Sequence, residues 1–142
     1  VTQVVVVIPG EPVAQGRPRF VRSIGRAFDP PKSREWKAFA AAFMLEACPT
    51  PFPPDVPLHL EVTAVWRCPS TDARKREPRP LRWRAKRPDA DNILKAVADA
   101  GSGVLWIDDA QIAKATVRKL TAEQGAAGHV RVVVSVLEEA IA

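Results

Sequence analysis

The sequence predicts an α+β fold in a single domain over residues 1–142, with one mixed β-sheet and two main helices packed mainly on one face. Three observations support this. β-branched or alternating runs at both ends and in the middle read as strands, and two stretches with apolar residues at helical spacing read as helices. The resulting order of strand, hairpin, helix, strand, helix, strand, strand shows no internal repeat and no separable segment. With 142 residues, 46% of them hydrophobic and 26% charged, the chain can bury one real core and is small for two.

Taken in order, Val4 to Ile8 is a β-branched run closed by Pro9-Gly10, as a buried strand should be. It lacks a basic start and is too short to be a signal peptide or a membrane span. From Glu11 to Lys32 the chain is rich in Pro, Gly and Arg. Phe20-Val21-Arg22 and Arg26-Ala27-Phe28 read there as short hairpin strands around Ser23-Ile24-Gly25. Ser33 is expected to cap a helix running to about Ala47, because Trp36, Phe39, Ala40, Phe43, Met44 and Ala47 recur on one face.

Pro49 to Pro57 is a stiff connector. Leu58, Leu60, Val62, Ala64 and Trp66 then alternate with His59, Glu61 and Thr63, the pattern of a strand with one covered face. Cys68 to Arg87 reads as a polar loop. A shorter helix is expected from about Asp91 to Ala100, ended by Gly101-Ser102-Gly103, with Val104 to Ile107 leading back toward the core. Two closing strands, roughly Gln111 to Leu120 and Val130 to Leu137, flank a turn at Gly125 to Gly128.

Composition narrows the chemistry. A net charge of +5 favours a polyanionic partner. Cys48 and Cys68 have no CxxC spacing and only His59 and His129 as companions, so they read as small buried hydrophobes in a reduced, cytoplasmic protein, not as a zinc site. Tyr is absent, which removes any tyrosine nucleophile, and no P-loop, GxGxxG or G-x-S-x-G string is present. No organic cofactor and no membrane association are expected.

Two constellations remain. Asp89 and Asp91 stand two apart at the start of the second helix, with Lys95 one turn beyond Asp91, and Asp108-Asp109 follow the apolar Val104 to Ile107 run. Taken singly, these are helix caps, a surface ion pair and a turn. Taken together, they are an oxygen-only donor set for Mg²⁺ or Mn²⁺, because gathered carboxylates repel until a cation compensates them. Asp89, Asp91 and an acid of the Asp108-Asp109 pair are therefore expected to meet in one pocket, with Lys95 neutralising charge on a reacting phosphate.

The second constellation is basic. Arg74, Lys75, Arg76, Arg79, Arg82, Arg84, Lys86 and Arg87 face only Glu77 in sign on a Pro-punctuated loop leading into the acids. A solvated loop is the ordinary meaning of such a run; its place beside the acids makes it a candidate phosphate contact. Arg17, Arg19, Arg22, Lys32 and Arg34 form a second cluster, and Phe20 and Trp83 are candidate stacking residues.

Together these strings resemble the RusA-type Holliday-junction resolvases, small endodeoxyribonucleases often found in phages and prophages. The resemblance is carried by Ile8-Pro9-Gly10 with Gly16 to Phe20, by Pro30 to Glu35, by Arg87-Pro88-Asp89-Ala90-Asp91-Asn92-Ile93-Leu94-Lys95 with Asp99, and by Trp106-Ile107-Asp108-Asp109-Ala110-Gln111-Ile112. It implies a RusA-like fold and a homodimer that nicks four-way DNA junctions symmetrically with Mg²⁺ or Mn²⁺. It also implies that Asp89, Asp91, Lys95 and Asp109 are catalytic, the three acids being metal ligands with Asp108 in reserve. Two other readings compete: a non-catalytic nucleic-acid-binding phage accessory protein, and a metal nuclease acting on flaps or RNA.

Overall fold

The structure, a computed structural model, describes residues 2–16, 19–23, 25–28 and 30–138. The opening β-branched run forms β1 (Gln3–Pro9), with Val4, Val6 and Ile8 turned inward and Val5 and Val7 outward. β2 (Arg19–Val21) and β3 (Arg26–Phe28) pair antiparallel as a separate ribbon, as the hairpin reading expects. α1 (Pro31–Ala47) follows, then β4 (Leu58–Trp66), the two-residue β5 (Arg82–Trp83), α2 (Ala90–Gly101), β6 (Ile112–Thr121) and β7 (His129–Val136).

The main sheet has the order β1-β7-β4-β6-β5. β7 runs antiparallel to both β1 and β4, whereas β4 and β6 are parallel, so the sheet is mixed. The last two strands do not form the hairpin that a short Gly-containing turn suggests: β4 lies between them. A parallel pair needs a long crossover, and α2 lies in the segment that connects β4 to β6.

Both helices contribute to one hydrophobic cluster with the inward residues of the sheet, including Trp36, Ala40 and Met44 of α1 and Ile93, Ala96 and Val97 of α2. The fold is therefore α+β with its helices on one face. The α1 stripe is narrower than its sequence pattern suggests. Phe43 packs partly against the core, but Phe39 is 45% exposed and meets Phe43 edge-on at 5.0 Å between ring centroids.

Ser33 does not cap α1. Pro30 occupies the N-cap position with Pro31 as the first helical residue, which suits a missing N–H donor and a fixed φ. The buried Ser33 hydroxyl instead ties the helix start to the segment after β1, accepting from Gly16 N at 2.9 Å and donating to Ala14 O at 3.2 Å. A Cβ at Gly16 would lie 2.7 Å from Pro30 Cγ, so glycine lets this strand-to-ribbon segment close on the helix start. Cys48 and Cys68 are both free thiols, Cys68 buried and Cys48 half-buried. Among the described residues no helix is long and apolar enough to cross a membrane.

Candidate active site

α2 begins where a Pro-containing segment, Arg87-Pro88-Asp89, gives way to a strongly amphipathic run. Asp89 takes the N-cap position, and its carbonyl accepts from Asn92 N at 3.1 Å and Ile93 N at 3.3 Å. Its carboxylate makes no capping hydrogen bond. Asp91, in the first turn, is also exposed, so both side chains stand in solvent at the positive end of the helix, where negative charge is favoured. Lys95 lies one turn along, exposed, and takes part in no ion pair among the described residues.

Several contacts hold the surroundings of this helix start. Gln15 N donates to Asn92 O at 3.1 Å, which brings the segment leading into the Arg17 cluster beside α2. Lys37 of α1 donates to Gln15 Oε1 at 2.8 Å and reaches Asp99 of α2 at 3.5 Å. A pocket of about 460 Å³ opens between Ala14, Gln15, Arg87, Pro88, Asp89 and Asn92. Lys119 of β6 donates to Lys86 O at 2.7 Å and Pro88 O at 2.6 Å, fixing the chain just before Asp89.

The other acidic pair is wired differently. Asp108 caps a single 3₁₀ turn over Asp109–Gln111, accepting from Ala110 N at 2.9 Å in a capping box with Gln111. Gln111 is buried and fully used: Oε1 accepts from Ile107 N at 2.8 Å and Asp108 N at 3.1 Å, while Nε2 donates to Pro53 O at 2.9 Å and Val56 O at 3.2 Å. Asp109 accepts from the indole Nε1 of fully buried Trp106 at 2.7 Å. The Trp106 ring in turn lies directly against Gly101, where a Cβ would overlap it.

That chain of contacts ties Asp109 to the C-terminal end of α2, about 15 Å of helix from Asp91 at 1.5 Å per residue. Among the described residues no three His, Cys, Asp or Glu side chains come together as a metal-holding group. Asp89, Asp91 and Asp109, expected to meet in one pocket, therefore do not form such a group among the described residues. The sequence places acids on both sides of α2 without showing that the helix itself holds them apart.

The basic residues also divide. Arg74, Lys75, Arg76, Lys86 and Arg87 are exposed, as are Arg22, Lys32 and Arg34; Arg17 and the side chain of Arg19 lie outside the described residues. Arg84 is committed elsewhere, with its guanidinium 4.4 Å from the Trp66 ring centroid and donating to Arg87 O at 2.7 Å. Arg82 donates to Asp72 at 3.0 Å and to the Cys68 thiol at 3.6 Å, contacts that raise its pKa further, the Cys68 bond foremost and against a smaller lowering by burial. These two arginines shape the loop. Gln15 opens the basic Gln15 to Phe20 motif, whereas Lys37, which joins it to Asp99, belongs to no motif legible in the sequence.

Residues 9–135 match the family described as endodeoxyribonuclease RusA. The chain is also 33% identical over 122 residues to an uncharacterized protein, YqaN, of Bacillus subtilis (strain 168), covering 81% of this chain and 85% of that one. The match spans β2 to β6, nearly all of β7, both helices and both acidic segments, and the chain belongs to the RusA endodeoxyribonuclease family. Membership implies an endonuclease that binds and resolves Holliday junctions.

Proposed function

We propose that the chain is a divalent-cation-dependent endodeoxyribonuclease that works as a homodimer, resolving four-way junctions by paired symmetric nicks during recombination and repair. Mg²⁺ is the expected cation and Mn²⁺ its substitute. The observation that carries this reading is the helix start: among the described residues Asp89 and Asp91 are two exposed carboxylates with no side-chain partner, near an exposed, unpaired Lys95 and exposed Lys86 and Arg87.

The donor set fits such a cation. Mg²⁺ is commonly held by one or two carboxylates and completes its shell with water and substrate phosphate oxygens, so a three-acid cage within one chain is not required. When bound, the cation polarises the scissile phosphate and makes an attacking water more acidic. Asp89 and Asp91 would hold it, their mutual repulsion eased by the positive end of α2. Lys95 supplies a point charge to the phosphate as negative charge builds there. Lys86 and Arg87 neutralise the flanking phosphates.

Asp109 is firmly held but at the wrong end of α2 to join them. In this proposal Asp109 serves the same cation from a second copy of the chain, so that the homodimer completes the site. Asp108, engaged as a cap, stays in reserve. A two-fold dimer with one such site per half also meets the need to cut two strands of like polarity.

The test is a substrate panel: four-way junction, flap, duplex and RNA hairpin, each with and without Mg²⁺. Metal-dependent paired nicks in the junction are expected. Preference for the flap or the hairpin would move the substrate class, and binding without any metal-dependent cleavage would leave a non-catalytic nucleic-acid-binding protein.

A further inference from the structure

Apart from Trp83, already a candidate stacking residue, the face of the main sheet turned away from α1 and α2 carries none of the groups assigned so far. Strand register places Arg131 of β7, Thr63 of β4 and Arg118 of β6 in one cross-strand row on it, with Lys114 further along β6. Trp83 of β5 stands opposite Leu120 at its edge. Two side-chain contacts span this face: Arg118 donates to Thr63 Oγ1 from Nε at 3.1 Å and Nη2 at 2.7 Å, and His59 Nε2 meets Thr116 Oγ1 at 3.0 Å.

Its charge is one-sided. Lys114, Arg118 and Arg131 are all exposed, and the strand residues of this face include a single carboxylate, Glu61, which His59 approaches at 3.9 Å. Its aromatic residue is unusual for this chain. Trp36, Trp66 and Trp106 are 7%, 9% and 0% exposed, whereas Trp83 is 72% exposed. The face also adjoins the candidate active site around the β5 edge, because the chain from Trp83 to Asp89 is pinned to β6 by Arg84 N to Lys119 O at 3.0 Å and by the Lys119 ammonium.

We propose that this open sheet face is a second DNA-contact surface. Lys114, Arg118 and Arg131 neutralise backbone phosphates, and Trp83 stacks on a base or deoxyribose at the edge nearest Asp89. The proposal takes its substrate from the junction-nuclease reading above. Charge favours DNA over a second copy as the occupant, since two such faces opposed would set like charge against like charge. The ordinary alternative is a solvated basic face that touches nothing.

Binding in EDTA, where no metal-dependent cutting occurs, separates these outcomes. For the full chain carrying Lys114→Ala, Arg118→Ala and Arg131→Ala together, the slope of log affinity for a four-way junction against log salt should become shallower by about 2 to 3, roughly 0.9 for each phosphate no longer neutralised. Lys114→Ala and Arg131→Ala, each alone, should each lower it by about 0.9, which keeps the test open if the triple variant does not fold. In the wild type, acrylamide quenching of tryptophan fluorescence reports mainly on Trp83 and should fall when the junction binds.

Unchanged slopes together with undiminished quenching would overturn the proposal. So would a charge-removed variant that changes oligomeric state while binding DNA as before, since the face would then be an interface between copies. A wild type that binds with these signatures but never cuts would sink the nuclease reading and leave this surface standing.

Discussion

The two ends of α2 carry acids of the same chemical type in opposite circumstances. At the N-terminal end Asp89 and Asp91 are exposed and, among the described residues, make no side-chain hydrogen bond that fixes them. At the C-terminal end Asp108 caps a turn, Asp109 is held by Trp106, and Gln111 beneath them makes four hydrogen bonds. Carboxylates without partners are available to a ligand; carboxylates with partners are positioned. The difference teaches that the D-D-A-Q string is largely a structural device that holds one acid, Asp109, in a set place, whereas the D-x-D string is the part left open for chemistry.

The contrast can be broken most severely at the open end. Asp91→Asn should abolish junction cleavage while junction binding stays intact or tightens, because a negative charge near phosphate is gone. Gel-resolved cleavage beside a binding titration checks it, and loss of binding together with loss of fold would assign Asp91 a structural role instead. Lys95→Ala should leave a folded protein and slow cleavage by about 10²- to 10³-fold, the scale for removing one charge-stabilising donor. A near-normal rate in single-turnover measurements would remove Lys95 from the reaction.

The wired end should fail in stability first. Gln111→Ala strands two backbone N–H donors and two carbonyls in a buried place, and should cost about 3 kcal/mol by chemical denaturation. Asp108→Ala should cost about 1 kcal/mol, the usual loss for a helix-type cap. If Asp108→Ala instead eliminated cleavage with stability untouched, the division between a capping and a functional acid would be reversed.

Much of the fold is readable from the residues, for physical reasons. The period-two alternation of Leu58 to Trp66 marks β4 to the residue, although its second half is covered on both faces, Thr63 and Val65 being buried as well. The glycines after Ala100 mark the end of α2 as sharply. What stays hidden depends on tertiary contacts. Nothing local distinguishes Asp108 from Asp109; the Trp106 indole does, and its position is set by a ring packed on Gly101. Ser33 looks like a cap until the prolines before it take over the helix start. The parallel pairing of β4 with β6 is invisible in a sequence that offers a glycine turn before β7.

Whether the two ends of α2 serve one cation from two copies of the chain is tested most directly by mixing Asp91→Asn and Asp109→Asn chains. The second substitution leaves an oxygen that still accepts from Trp106. Each variant alone should be inactive on a four-way junction. After co-refolding, roughly one quarter of the sites in randomly paired dimers would combine an intact helix start with an intact Asp109, so Mg²⁺-dependent single nicks should reappear. A mixture as silent as its components, under conditions where the chains exchange and bind junction, would contradict a site shared between two copies.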